Sequence, residues 1–200
     1  MAAKKARARR PARSRPAAAR VRPVPAGYHT VTPYLTVDDG ARAIEFYVRA
    51  FGARETERLP GPGGKIMHAE LRLGDSVVML SDEFPGMSTA RSPKALGGTT
   101  GGLFLYVPDV DTAFRRAVEA GCKVLMPVTD MFWGDRFGKL EDPFGNQWTM
   151  ATHVEDVPHD EMRRRAETRR RRREHRETVR PWCHRAPSAS APCSCPEIRR

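Results

Sequence analysis

Hydrophobic and polar residues alternate at the start of two separate segments, and each alternation gives way to a helical spacing a few residues on. In the first segment Val31, Pro33, Leu35 and Val37 share one face, while Thr32, Tyr34 and Thr36 share the other. In the second, Leu103, Leu105 and Val107 share a face opposite Gly102, Phe104 and Tyr106. A period of two predicts a strand in each. Helices follow, over Ala43-Ile44-Glu45-Phe46-Tyr47 and over Ala113-Phe114-Arg115-Arg116. Asp38 or Asp39 is placed to cap the first helix, and Asp109 or Asp111 the second. Gly52 and Gly121 stand where a helix end favours a left-handed residue.

The similarity continues downstream. Leu73-Gly74-Asp75-Ser76-Val77-Val78-Met79-Leu80 aligns with Phe144-Gly145-Asn146-Gln147-Trp148-Thr149-Met150-Ala151. Each reads as a turn into a last strand, with Val78 and Leu80 matching Thr149 and Ala151. Further strands are expected at Met67–Leu73, Val124–Met126 and Gly138–Glu141. Four landmarks recurring in order about 70 residues apart indicate an internal repeat. The predicted fold is α+β, two βαβββ modules forming one pocket domain over residues 27–157.

Charge changes the picture at the ends. The net charge of +11 suggests a nucleic-acid binder, but residues 27–158 carry a balance of −5. Residues 1–26 carry +9 and residues 159–200 carry +7. Residues 1–26 are expected to be a disordered basic tail, and residues 158–200 an Arg-rich, largely disordered one. Residues 155 to 177 have Glu/Arg spacing that also permits a charged helix. Unstructured Arg runs attract phosphates, so weak non-specific nucleic-acid contact is an expected property of the tails.

No apolar run is long enough for a membrane helix. The basic N-terminus lacks the apolar core of a secretory signal. Of four cysteines, Cys122 falls in the domain and Cys183, Cys193 and Cys195 in the tail. This is no disulfide framework, and a cytoplasmic location is expected. A zinc site from Cys183, His184, Cys193 and Cys195 has poor spacing.

The landmarks resemble the vicinal oxygen chelate superfamily of glyoxalase I, bleomycin-resistance proteins and extradiol dioxygenases, and more narrowly its PhnB-like branch. They are Thr32-Pro33-Tyr34-Leu35, Ile44-Glu45-Phe46-Tyr47, Phe51-Gly52-Ala53, Met67-His68-Ala69-Glu70-Leu71, Gly74-Asp75-Ser76, Leu80-Ser81-Asp82, Phe132-Trp133-Gly134-Asp135-Arg136 and Asp142-Pro143-Phe144-Gly145-Asn146 with Trp148. The resemblance implies that two curled sheets form a cup around a small molecule, and that the protein is a homodimer. It also implies four metal-ligand positions, falling here on Thr32, Gly102, Val78 and Thr149. None is a strong donor for a divalent ion, so no metal or other cofactor is expected at the superfamily's usual place.

By alternation, Tyr34, Thr36, His68, Phe104, Tyr106 and Thr149 are expected to face the ligand. His68 and Glu70 share a strand face. They read as a polar pocket lining or, alternatively, as an acid/base pair or ligands of a divalent metal. His29 and His153 are expected to be solvated. In the stretch before Gly138, Phe132 and Trp133 offer an apolar wall and Arg136 a group for an anion or carbonyl. The competing reading has Arg136 paired with Asp135 or Asp142 and Trp133 plugging the core. Asp142–Asn146 reads as a turn, and residues 60–64 and 84–101 as loops able to cover a pocket. No nucleophile elbow, P-loop, dinucleotide fingerprint or methyl-donor site is present. The leading expectation is a binder of a small organic molecule. The alternative is a metal-dependent lyase, isomerase or dioxygenase of the same superfamily.

Overall fold

A computed structural model describes residues 21–179. The first helix, α1 (Gly40–Phe51), starts where the Asp39 side chain accepts the Arg42 N–H at 3.0 Å. Its buried residues Ala43, Ile44, Phe46, Tyr47, Ala50 and Phe51 recur at three- and four-residue spacing, so one face is apolar. Helix α3 (Val110–Ala120) repeats the design, with Asp109 as its cap and Val110, Ala113, Phe114 and Ala117 buried. Gly52 and Gly121 end the two helices in the left-handed conformation.

Each helix belongs to a four-stranded sheet. The strands are β1 (Tyr34–Val37), β2 (Arg54–Pro60), β3 (Ile66–Leu73), β4 (Ser76–Asp82), β5 (Gly102–Tyr106), β6 (Lys123–Asp130), β7 (Asp135–Glu141) and β8 (Gln147–His153). The sheet orders are β1-β4-β3-β2 and β5-β8-β7-β6, the same topology twice. In both, the first strand pairs parallel to the last and the rest are antiparallel. The α+β fold of two βαβββ modules is therefore present. Two strands exceed their expected bounds: β6 runs beyond Val124–Met126, and β7 starts before Gly138. β6 is a largely exposed edge strand, irregular in register around Met126. A strand that buries neither face regularly leaves no period-two signature.

The modules meet through α1 and α3, and a single core spans both. Ile44, Leu71, Leu80 and Leu140 are essentially inaccessible, which contributes about 1.5–3 kcal/mol each. At the centre lies Asp142, a buried carboxylate. It accepts the Tyr47 hydroxyl at 2.8 Å, the Trp148 indole N–H at 2.9 Å and the backbone N–H groups of Phe144 and Asn146 at 2.9 Å. Tyr47 comes from the first module and Trp148 from the second, so the network locks them together. A buried acceptor this well saturated leaves no hydrogen-bonding demand unmet. Burial and the adjacent Asp142 charge push the Tyr47 hydroxyl pKa well above the usual value. Burial likewise pushes the Cys122 thiol up to about 12.

The tail expected from residue 158 begins with a helix, α4 (His159–Val179), as the Glu/Arg spacing allowed. Cys183, His184, Cys193, Cys195 and residues 1–20 of the N-terminal tail lie outside the described residues.

Candidate functional site

The sheet faces turned away from the helices carry the candidate residues. Register shows which side chains stand side by side. Tyr34 lies opposite Met79, and Met79 opposite Glu70. In the second module Phe104 lies opposite Thr149, and Thr149 opposite Lys139. Met79 is therefore the counterpart of Thr149, which corrects the expected match of Val78 to Thr149. Val78 and Leu80 are buried under the helices. The slip arose from the turns. β3 and β4 are joined by Gly74-Asp75, whereas β7 and β8 are joined by residues 142–146. Aligning the glycines of turns of unequal length displaces the strands by one residue, and one residue flips the face.

On the first sheet, four groups form a chain. The Tyr28 hydroxyl donates to Glu70 Oε2. Glu70 Oε1 lies 3.3 Å from His68 Nε2, and His68 Nδ1 lies 3.1 Å from the Tyr34 hydroxyl. Glu70 thus holds the imidazole in place, with Tyr34 at the exposed end. The hydrogen bond to Glu70 and the surrounding negative charge raise the Tyr28 pKa. Tyr28 was missed from sequence because it precedes the first strand, where alternation assigns no face.

The second sheet centres on Asp135, which is 4 % exposed. Its Oδ2 accepts the Trp133 indole N–H at 2.9 Å and the Tyr106 hydroxyl at 3.1 Å, while Oδ1 lies 2.8 Å from His153 Nδ1. Burial works against the charged form, yet the His153, Trp133 and Tyr106 hydrogen bonds win and hold the Asp135 pKa below the usual carboxylate value. Around this anchor the aromatic rings make a continuous wall. Phe104 packs 4.9 Å from Tyr106 and 6.3 Å from Phe137, and Trp133 lies 5.5 Å from Phe137 and 5.0 Å from Phe132. His153 is exposed, as expected, and also bridges Asp135 and Asp156, the latter at 3.0 Å. His29 is exposed beside Asp75 at 3.7 Å.

Arg136 stands apart. Alternation puts it on the opposite face of β7 from Asp135, where it pairs with Asp111 at 2.7 and 2.8 Å and with Asp130 at 2.9 Å. These hydrogen bonds raise its pKa. It pairs with neither Asp135 nor Asp142, and its three hydrogen bonds fasten β7 to β6 and α3. Arg136 is thereby removed from the expected ligand-facing set.

Tyr34, Thr36, Phe104 and Tyr106 line one cleft of about 1490 Å³ between strands β1 and β5, and so do Leu35, Leu103 and Leu105 from the opposite face of the same strands. Segment 91–101 borders it through Pro93 and Thr99. That segment holds a short helix, α2 (Pro93–Leu96), capped by Ser92 and tied down by Arg91 on Glu83 at 2.9 Å. The loop at residues 60–64 forms a 3-10 turn that does not border the cleft. His68, Glu70, Phe132, Trp133 and Thr149 lie outside its lining, with His68 and Glu70 connected to it through Tyr34.

The structure places the metal positions of the resemblance on Thr32, Gly102, Met79 and Thr149. The Thr32 hydroxyl donates to the His29 carbonyl at 3.1 Å. A Cβ at Gly102 would sit 3.0 Å from the Gln147 carbonyl oxygen, so a ligating side chain there would require β8 to shift. A thioether and two hydroxyls are poor donors for a hard divalent ion. These residues do not fit the superfamily's metal site. Among the described residues no other cluster of three His, Cys, Asp or Glu is arranged to hold an ion, and no helix is long and apolar enough to cross a membrane.

Residues 27–150 match the family described as the Glyoxalase/Bleomycin resistance protein/Dioxygenase superfamily. The chain is 47 % identical over 134 residues to the uncharacterized Mycobacterium tuberculosis protein Rv0887c, covering 66 % of this chain and 79 % of that one. Among solved structures, TioX from Micromonospora sp. ML1 is 32 % identical with a TM-score of 0.51, covering 62 % of this chain and 97 % of its own. PA1353 from Pseudomonas aeruginosa is 28 % identical with a TM-score of 0.50, covering 62 % and 98 %.

Proposed function

Because this chain belongs to the Glyoxalase/Bleomycin resistance protein/Dioxygenase superfamily, we propose that it binds a small organic molecule between its two modules, without the superfamily's metal, and acts by sequestration. The observation that carries this reading is the aromatic wall. Tyr34, Phe104 and Tyr106 are 51 %, 51 % and 61 % exposed. Large apolar rings left open to water, beside a few oriented polar groups, mark a recognition surface. Tyr106 and Trp133 are held by Asp135 and Tyr34 by His68, so the wall is preorganised and little side-chain freedom is lost on binding. Within the superfamily, the landmarks of β1, β3 and the Asp142 turn favour the PhnB-like branch.

A cleft of about 1490 Å³ exceeds the roughly 300–1,000 Å³ of a drug-sized pocket. We read the protein as a homodimer in which a second copy narrows that space. The reading fits a protein working in the cytoplasm.

The second reading is an enzyme in which His68 and Glu70 move a proton. The 3.3 Å contact between them favours it, since a carboxylate orienting an imidazole is the arrangement of a general base.

A thermal-shift screen of bleomycin and an antibiotic and metabolite panel, on protein purified without chelator and assayed for metal, tests the first reading. Binding by sequestration predicts a hit that survives chelation and weakens about tenfold or more in Phe104→Ala and Tyr106→Ala, as expected for losing an aromatic contact worth about 1.5 kcal/mol. Stoichiometric metal that disappears in His68→Ala would sink the metal-free reading.

A further inference from the structure

Helix α4 is fastened at its base and exposed from Glu167 to His175. Its Met162 N–H donates to the Pro158 carbonyl at 2.9 Å. The Arg165 guanidinium grips Glu155 through both terminal nitrogens at 2.8 Å, and its Nε donates to Glu161 at 2.9 Å. Glu161, Met162, Arg165 and Ala166 are half-buried, whereas every residue from Glu167 to His175 is exposed. The helix therefore projects from a fixed root into solvent.

Its chemistry is one-sided in charge and uniform in direction. From Arg163 to Arg173 there are eight arginines and one acid, Glu167. Arg164 and Arg170 are partnered on the helix itself, by Glu161 at 2.7 Å and Glu174 at 3.4 Å. Arg163, Arg169, Arg171 and Arg172 take no acidic partner among the described residues. Successive helical residues are turned by about 100°, so the run Arg169–Arg173 points to every side. An amphipathic membrane helix or a coiled-coil strand needs an apolar stripe, and these five positions offer none.

We propose that α4 is a docking element for duplex DNA that lies in the major groove and grips phosphates on both walls without reading sequence. An α-helix about 10–12 Å across fits a B-form major groove about 12 Å wide. The major groove of duplex RNA is too narrow and deep for it. Arginines on all sides suit a partner that surrounds the helix with phosphate. The balance of −5 over residues 27–158 repels the same polyanion, so the domain is held off while the helix inserts.

The test uses the full chain and a short labelled DNA duplex of arbitrary sequence, with binding read by fluorescence anisotropy. With about five phosphates engaged, log affinity falls against log salt with a slope of roughly −4.5, on the order of 500-fold between 50 and 200 mM. Replacing Arg169–Arg173 with Gln weakens binding by at least about 30-fold at low salt and flattens the slope, while Lys replacements keep the charge and stay within roughly threefold. Circular dichroism and thermal unfolding check that both variants keep their helix and domain. A duplex RNA of equal length and phosphatidylserine vesicles bind at least tenfold more weakly. Unchanged binding in the Gln variant, a flat salt dependence, or equal binding to RNA or vesicles would overturn the proposal. Unchanged binding would place any DNA contact on arginines outside Arg169–Arg173. The small-molecule site is untouched by these variants, so the two readings fail separately.

Discussion

Asp135 shows how much of the site rests on one carboxylate. It holds Trp133, Tyr106 and His153 at once, and each depends on it differently. Trp133 and Tyr106 are neutral donors whose aim it sets. His153 is an ionisable partner, also bonded to Asp156, and both ring nitrogens facing carboxylates favour the imidazolium. The hydrogen bond to Asp135, then that to Asp156, raises its pKa above the ordinary value. A raised folded-state pKa contributes stability that is fully present below the unfolded value near 6.5 and is lost as pH rises through the raised one. The urea midpoint is therefore expected to fall as pH increases from about 6 to 8, and His153→Gln to abolish that fall. An equal slope in the variant would show that another group titrates. The wall residues Tyr34, Phe104 and Tyr106 were legible at this scale because strand alternation alone sets their face. Tyr28 and the pairing of Arg136 with Asp111 were not, since hydrogen bonds across 25 to 42 residues leave no local pattern.

Among the elements, the β6–β7 hairpin is tightly constrained at its turn. Its turn carries Gly134 at φ 100°, and the Gly134 carbonyl accepts the Val154 and Glu155 N–H groups at 2.9 and 3.0 Å. A Cβ at this position would fall 1.9 Å from the Glu155 carbonyl oxygen. Gly134→Ala is expected to destabilise the domain by about 3 kcal/mol, through both the positive φ and the clash. Urea denaturation would measure this, and a loss under 1 kcal/mol would mean that residues 154–155 move aside at little cost. The same hairpin presents Phe132 and Trp133, and Glu155 roots α4 through Arg165. One glycine thus joins the wall to the base of the basic helix. Helices α1 and α3 could be read from their caps and spacing because a helix buries a stripe. The bounds of strands β2 and β6 could not, because at a sheet edge all seven residues of β2 and most of β6 stay exposed.

For the whole molecule, the open question is what covers the faces turned away from α1 and α3. Strands β1 and β5 stand at the outer edge of their sheets with a wide cleft between them. Val124 and Leu125 on β6 are about 40 % exposed. Exposed strand edges and aromatic faces are commonly covered by another chain. Light scattering coupled to size exclusion is expected to give twice the monomer mass at micromolar concentration. A monomer across that range would remove the second copy from the account of the pocket.

The amino-acid sequence by itself determined the duplication, the βαβββ order, the caps and which residues share a face of β1 and β5, because these depend on spacing along the chain. It also marked the acidic domain apart from its basic ends. Only the tertiary structure decided that Met79 and not Val78 matches Thr149, that Arg136 fastens β7 to α3, and that Asp135 and Asp142 anchor the aromatic wall and the core. Those outcomes depend on turn length and on partners distant in sequence, and pairing across space is information that periodicity does not contain.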